Sequence, residues 1–169
     1  MQIVPVVRES WNKRKGESWT HDDLLNPELN VRIAADLLNR IITGYQKHPS
    51  KNMKADWSNP EFVNLLVAGW NAGYSEAGGV GRVASYLEER GIPVTHDNIY
   101  KYAQAAGATK FLSMPGRLTW QKSVTDLYFR QPDAPTPGQS SSSWGLLVVG
   151  AAALLGIFAF KHLDLESIS

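Results

Sequence analysis

The sequence predicts an all-α fold, and three observations carry that expectation. Apolar residues recur at helical spacing in several segments of the 169-residue chain. Two of those segments open on the same Asn-Pro-Glu triplet. No stretch alternates convincingly at the period of two that a half-buried strand requires.

The elements follow in chain order. The run from Arg8 to Glu17, with Lys13, Arg14 and Lys15, is strongly charged and reads as a solvated surface turn. Asn26-Pro27-Glu28 is a helix start. It offers a side-chain cap, a proline whose missing N–H costs nothing in the first turn, and an acid at the positive end of the dipole. Leu29, Ile33, Leu37, Ile41 and Tyr45 then recur every fourth residue, flanked by Leu38 and Ile42. This predicts one wide apolar stripe ending near Gly44 to His48. Residues 49–58 are polar and predict a loop. Asn59-Pro60-Glu61 repeats the start signal, and the segment from Phe62 to Trp70 is apolar nearly all round, the mark of a central helix. Gly73, Gly78, Gly79 and Gly81 interrupt the chain. Val80, Val83, Tyr86 and Leu87 predict a further helix stopped by Gly91-Ile92-Pro93. Thr95 caps another running to Ala106, and Leu118, Trp120, Val124, Leu127 and Tyr128 pattern a last one.

Composition divides the chain into four parts. Residues 1–130 form the helical domain. Residues 131–143 hold three Pro and four Ser and have almost nothing to bury, so they predict an extended linker. Residues 144–160, from Trp144 to Phe160, carry no charge. A helix of that length rises about 25 Å against a hydrocarbon core of about 30 Å. With Trp144 and Lys161 at the two interfaces, the segment is expected to be a transmembrane helix. Residues 161–169 are a polar tail. Lys and Arg are too evenly spread around the run to set its orientation, and the first twenty residues hold no apolar core of a signal peptide.

Several chemistries are disfavoured. Lys plus Arg is 17 and Asp plus Glu is 16, a net charge of +1 that makes no case for nucleic acid. There is no Cys, which removes disulfides, thiolate metal sites and a cysteine nucleophile. The four His form no metal-ligand spacing, and the adjacent residues His21-Asp22-Asp23 point apart along a chain, so no metal and no cofactor is expected. The glycines at 78, 79 and 81 lack the preceding strand and the Lys of a phosphate loop.

The informative segment is Gly69-Trp70-Asn71-Ala72-Gly73. A helix end there holds an indole face suited to a pyranose ring and a side-chain amide able to donate and accept. The same positions would also serve as a core Trp and a helix-end cap. This segment resembles the Ala-Tyr-Asn-Ala-Gly signature of lysozyme-like lytic transglycosylases, the SLT domain family, with Trp in place of Tyr. Met1-Gln2-Ile3-Val4-Pro5 resembles the end of that family's Gly-Leu-Met-Gln-Ile-x-Pro motif. Asn26 to Leu38 resembles its Asp-Pro-x-x-Asn-Ile-x-x-Gly-x-x-Tyr-Leu helix, without the Gly and the Tyr. The three motifs occur in order, over residues 1–130.

The resemblance implies the C-terminal part of a lysozyme-like helical domain, truncated at its N-terminus, with a peptidoglycan glycan strand as partner. It implies Gln2 and Asn71 as polar sugar-binding groups and Met1 and Trp70 as apolar walls. Tyr100 is expected to complete the site, with Tyr102 as the alternative and Tyr74 as an ordinary turn residue. The intact family cleaves the β-1,4 bond between N-acetylmuramic acid and N-acetylglucosamine. One Glu protonates the leaving oxygen, and the C6 hydroxyl of the sugar itself closes a 1,6-anhydro ring. That Glu, in a Glu-Ser pair, lies upstream of the Met-Gln motif, so it is expected to be encoded before Met1. No catalytic residue is then expected here, and the missing early helices would leave an apolar face uncovered. Glu9-Ser10 and Glu17-Ser18 follow the motif instead, among cations that lower a carboxyl pKa, whereas a general acid needs it raised. Three functions compete: a lytic transglycosylase lacking its N-terminal part, a short product that binds peptidoglycan at a membrane, and a membrane-anchored helical interaction protein. The first two place the domain on the periplasmic or cell-wall side, through a lost export signal or through delivery by a phage.

Overall fold

The computed structural model describes residues 3–109 and 117–131. The expected membrane segment 144–160, the tail 161–169 and all but the first residue of the linker 131–143 lie outside the described residues, as do Met1 and Gln2. The described residues form helices and no strand: α1 (Pro5–Lys15), α2 (Pro27–Tyr45), α3 (Pro60–Ala72), α4 (Val80–Glu88), α5 (His96–Tyr102) and α6 (Arg117–Phe129), with short 3-10 turns at Asp22–Leu25 and Lys51–Met53. Among the described residues no helix is long and apolar enough to cross a membrane.

The two Asn-Pro-Glu triplets act as read from the sequence. The Asn26 side chain accepts from the backbone N–H of Glu28 and of Leu29, and Asn59 accepts from Glu61. Each cap satisfies helix-end donors that would otherwise be orphaned, worth about 1 kcal/mol. Helix α2 buries Leu29, Ile33, Ala34, Leu38, Ile41, Ile42 and Tyr45, while Leu37 is only half-buried. Helix α3 is the hub. It buries Phe62, Val63, Leu65, Leu66, Val67 and Ala68, and it packs against α2, α4, α5 and α6.

Three segments differ from the sequence expectation. The charged run at Arg8 to Glu17 is mostly helix, not a turn. Pro5 opens α1, Gly16 closes it with a left-handed backbone, and Trp11 is buried against the rest of the core. Residues 49–58 are not merely a polar loop, since Met53 and Trp57 are fully buried there. Trp57 meets Phe62 edge-on, and its backbone carbonyl accepts from the Tyr128 hydroxyl at 3.4 Å. Helix α5 ends at Tyr102 and passes into turns before Ala106. On α6, Val124 and Tyr128 are buried as expected, but Leu127 is exposed.

The glycine-rich turn after α3 is tied to α2 and α4 through one histidine. His48, buried at the end of α2, meets Glu76 through Nε2 and Glu88 through Nδ1, each at 2.9 Å. Glu88 also accepts from the backbone N–H of Ser50. One imidazole thus links α2, the turn and α4. Exposed apolar side chains stand at Val4 and Val6, where α1 begins, and at Leu25 and Val31 around the start of α2.

Candidate functional site

Helix α3 carries Trp70 and Asn71 in its last turn and ends at Gly73, whose φ of +95° turns the chain sharply away. Trp70 is half-buried against the core and Asn71 is exposed. Tyr100 lies on α5, which Thr95 caps by accepting from the Asn98 N–H. Helix α6 completes the junction. Its Gln121 is fully buried and reaches both neighbours. Gln121 Oε1 accepts from the Tyr100 hydroxyl at 2.9 Å, and Gln121 Nε2 donates to Asn71 Oδ1 at 3.2 Å. Of the site residues expected from the sequence, Asn71 and Tyr100 are therefore joined through a single amide, and Trp70 precedes Asn71 in the same helical turn. Met1 and Gln2 fall outside the described residues, and Ile3, the next along, is buried in the core.

Tyr102 belongs elsewhere. It packs against Tyr86 at 6.3 Å, with the Lys101 ammonium over its ring. Tyr74 lies under the Arg40 guanidinium and against Gly44 of α2. Tyr100 shares Gln121 with Asn71, whereas the contacts of Tyr102 are with Tyr86 and Lys101.

Sequence reasoning missed two members of this cluster, Gln121 and His96. His96 is fully buried, and its Nε2 lies 2.6 Å from Gln121 Oε1. Its ring stands 5.3 Å from that of Tyr100. Its backbone N–H donates to Glu61 at 2.8 Å, which ties the start of α5 to the start of α3. The available signal was positional. Gln121 lies three residues before Val124 and seven before Tyr128, on the apolar face of α6.

Burial holds the His96 pKa below its ordinary value, because a buried imidazolium loses its hydration. The unfolded chain therefore binds a proton near pH 6.5 that the folded chain refuses. His96 supports the fold fully above that pH, and the support is lost as pH falls from there towards the folded pKa. Denaturation midpoints measured from pH 7.5 to 5 should fall more steeply in the natural protein than in a His96→Asn variant. Parallel slopes would show that His96 is not the group titrating.

The glutamates of the two Glu-Ser pairs are engaged with other partners. Glu9 is exposed and pairs with Arg8 at 3.2 Å. Glu17 accepts from the indole N–H groups of both Trp11 and Trp19, and these bonds hold its carboxyl below the usual range. The direction agrees with the sequence expectation, but its main cause is two indoles rather than the neighbouring cations.

A separate cavity of about 390 Å³ opens beside Trp19, Asp22, Asp23, Asn26 and Arg32. Its polar groups are largely committed. Asp23 accepts from the Thr20 N–H and hydroxyl, Asn26 caps α2, and Arg32 pairs with Glu28. Among the described residues no cluster of His, Asp and Glu is placed to hold a metal ion.

No family model matches the chain, and neither a curated protein nor a solved structure is significantly similar to it. What remains is the likeness of three short motifs and the arrangement at the α3–α5–α6 junction.

Proposed function

We propose that this chain is a glycan-binding domain of lytic-transglycosylase type, which holds a peptidoglycan strand at the α3–α5–α6 junction. One observation carries the reading. Asn71 and Tyr100, chosen from separate stretches of sequence, are bridged by one buried amide. Trp70, in the same helical turn as Asn71, carries a half-buried indole, the apolar complement to a sugar ring.

The domain binds rather than cuts. Glycan scission of this type needs a carboxyl that keeps its proton near neutral pH, and Glu17 is shifted the opposite way. The uncharged run 144–160 then serves as a membrane anchor, with the domain on the periplasmic or cell-wall side.

Co-sedimentation of the full chain, kept in detergent, with purified sacculi tests this. Retention is expected, and Asn71→Ala should weaken it about tenfold, the worth of one well-placed hydrogen bond to an exposed ligand. Failure of the natural chain to sediment would overturn glycan binding. Mass spectrometry of the supernatant should show no anhydro-muropeptides, and their release by this chain would overturn the non-catalytic reading.

A further inference from the structure

A primary amide buried without partners is costly, so a fully buried Gln on α6 needs its bonds. Gln121 makes three of them, two at Oε1 and one at Nε2. Their direction is decided by His96. Nδ1 of that ring is buried and has no partner. A neutral imidazole carries one N–H. If it sits on Nε2, it donates to Gln121 Oε1, and the unpartnered atom is a bare lone pair. With both amides turned around, the N–H would sit on Nδ1 as a buried donor with nothing to bind. Orphaned buried N–H groups are much rarer than under-satisfied acceptors. Burial, which favours the neutral ring, agrees with a single N–H to place.

We propose that Gln121 is a positioning residue for the candidate site. It accepts from His96 and Tyr100 and donates to Asn71 Oδ1, and so fixes Asn71 with its Nδ2 donor as the group offered to ligand. This rests on the glycan reading above and adds a specificity to it. A fixed donor suits an acceptor oxygen, such as the carbonyl of an acetamido sugar. It disfavours the ammonium of the deacetylated sugar, which has only donors to offer. Gln121 itself touches no ligand; it acts through Asn71.

Two measurements on the full chain test the proposal. The first is the His96 tautomer, read from two-bond proton–nitrogen NMR correlations of the imidazole. A proton on Nε2 is expected, and a proton on Nδ1 would overturn the assignment whether or not any glycan binds. The second compares binding of tetra-N-acetylchitotetraose with that of its deacetylated form. The natural chain should prefer the acetylated oligomer, and Gln121→Met, close in volume but unable to bond, should lose about tenfold of that preference. If Asn71→Ala abolishes the preference while Gln121→Met leaves it intact, Gln121 does not position Asn71, and glycan binding still stands. If the natural chain binds neither oligomer, the glycan reading fails, and the tautomer alone rules on Gln121. Should Gln121→Met fail to fold, the tautomer again decides.

Discussion

Gly79→Ala is expected to lower the melting temperature by about 10 °C, equivalent to about 3 kcal/mol in a domain of this size. A Cβ on Gly79 would lie 2.4 Å from the carbonyl oxygen of Gly73, 2.5 Å from its carbon and 2.7 Å from the nitrogen of Tyr74. These are backbone atoms, so no rotamer change relieves the contact. The turn would have to open, which breaks the bonds from Val80 N–H to Gly73 and from Gly81 N–H to Tyr74, at 2.9 and 3.1 Å. Those bonds close the exit from α3 onto the start of α4, one residue pair beyond Asn71. Gly78 supplies the control. A Cβ there meets nothing within 4 Å, so Gly78→Ala should leave the melting temperature nearly unchanged. Thermal unfolding followed by circular dichroism separates the two, and equal effects would place the strain outside the Gly73–Gly79 contact.

The difference between adjacent glycines shows where sequence reading stops. Four glycines in a short span announce a break in the chain, but only the approach of the Gly73–Tyr74 backbone says which have no room: Gly79 above all, and to a smaller degree Gly81, whose Cβ would lie 2.9 Å from the Tyr74 carbonyl oxygen. The helix starts at Asn26 and Asn59 were legible because a cap is local: the side chain bonds an N–H two or three residues on, whatever the rest of the protein does. Helix α1 was not, because its burial rests mainly on one side chain, Trp11, within a run of charges. Its two end signals, Pro5 and Gly16, were present but had no periodic pattern between them. Met53 and Trp57 were hidden for a related reason. Their burial is imposed by α3 and α6 packing over an irregular segment, with no period to betray it.

At the site, Asn71 and Tyr100 entered through motif likeness, and spacing alone would have left Asn71 as a helix-end cap. Gln121 and His96 were opaque because a polar residue on an apolar stripe reads as an interruption. Only the fold shows that each is the other's partner. Glu17 could be dismissed as an acid from its neighbours, yet the two indoles that hold it come from six residues before and two after, a contact that charge counting does not reveal.

Gly69→Ala should destabilise the protein by about 2–3 kcal/mol, and Tyr45→Phe should rescue it. Here the chain has Gly where the resembling signature has Ala, and the reason lies on α2. A Cβ at 69 would fall 2.2 Å from the Tyr45 hydroxyl, with Tyr45 Cζ and Ile41 Cγ2 both at 3.1 Å. The hydroxyl cannot swing away, because it is buried and donates to the Leu65 carbonyl at 2.7 Å. Tyr45→Phe alone forfeits that bond and should cost about 1 kcal/mol. If the two effects were independent, the double variant would be the worst of the three. Removing the hydroxyl instead removes the atom in closest conflict. The remaining 3.1 Å contacts need only small shifts, and alanine in a helix interior returns about 1 kcal/mol over glycine. The double variant should therefore be about 2 kcal/mol more stable than Gly69→Ala by itself, a coupling that a double-mutant cycle reads directly from urea midpoints. Trp70 and Asn71 follow Gly69 on the same turn, so retention on sacculi should fall with Gly69→Ala and return with the second substitution. Additive midpoints would mean that the approach of α2 to α3 is not what glycine permits at this position.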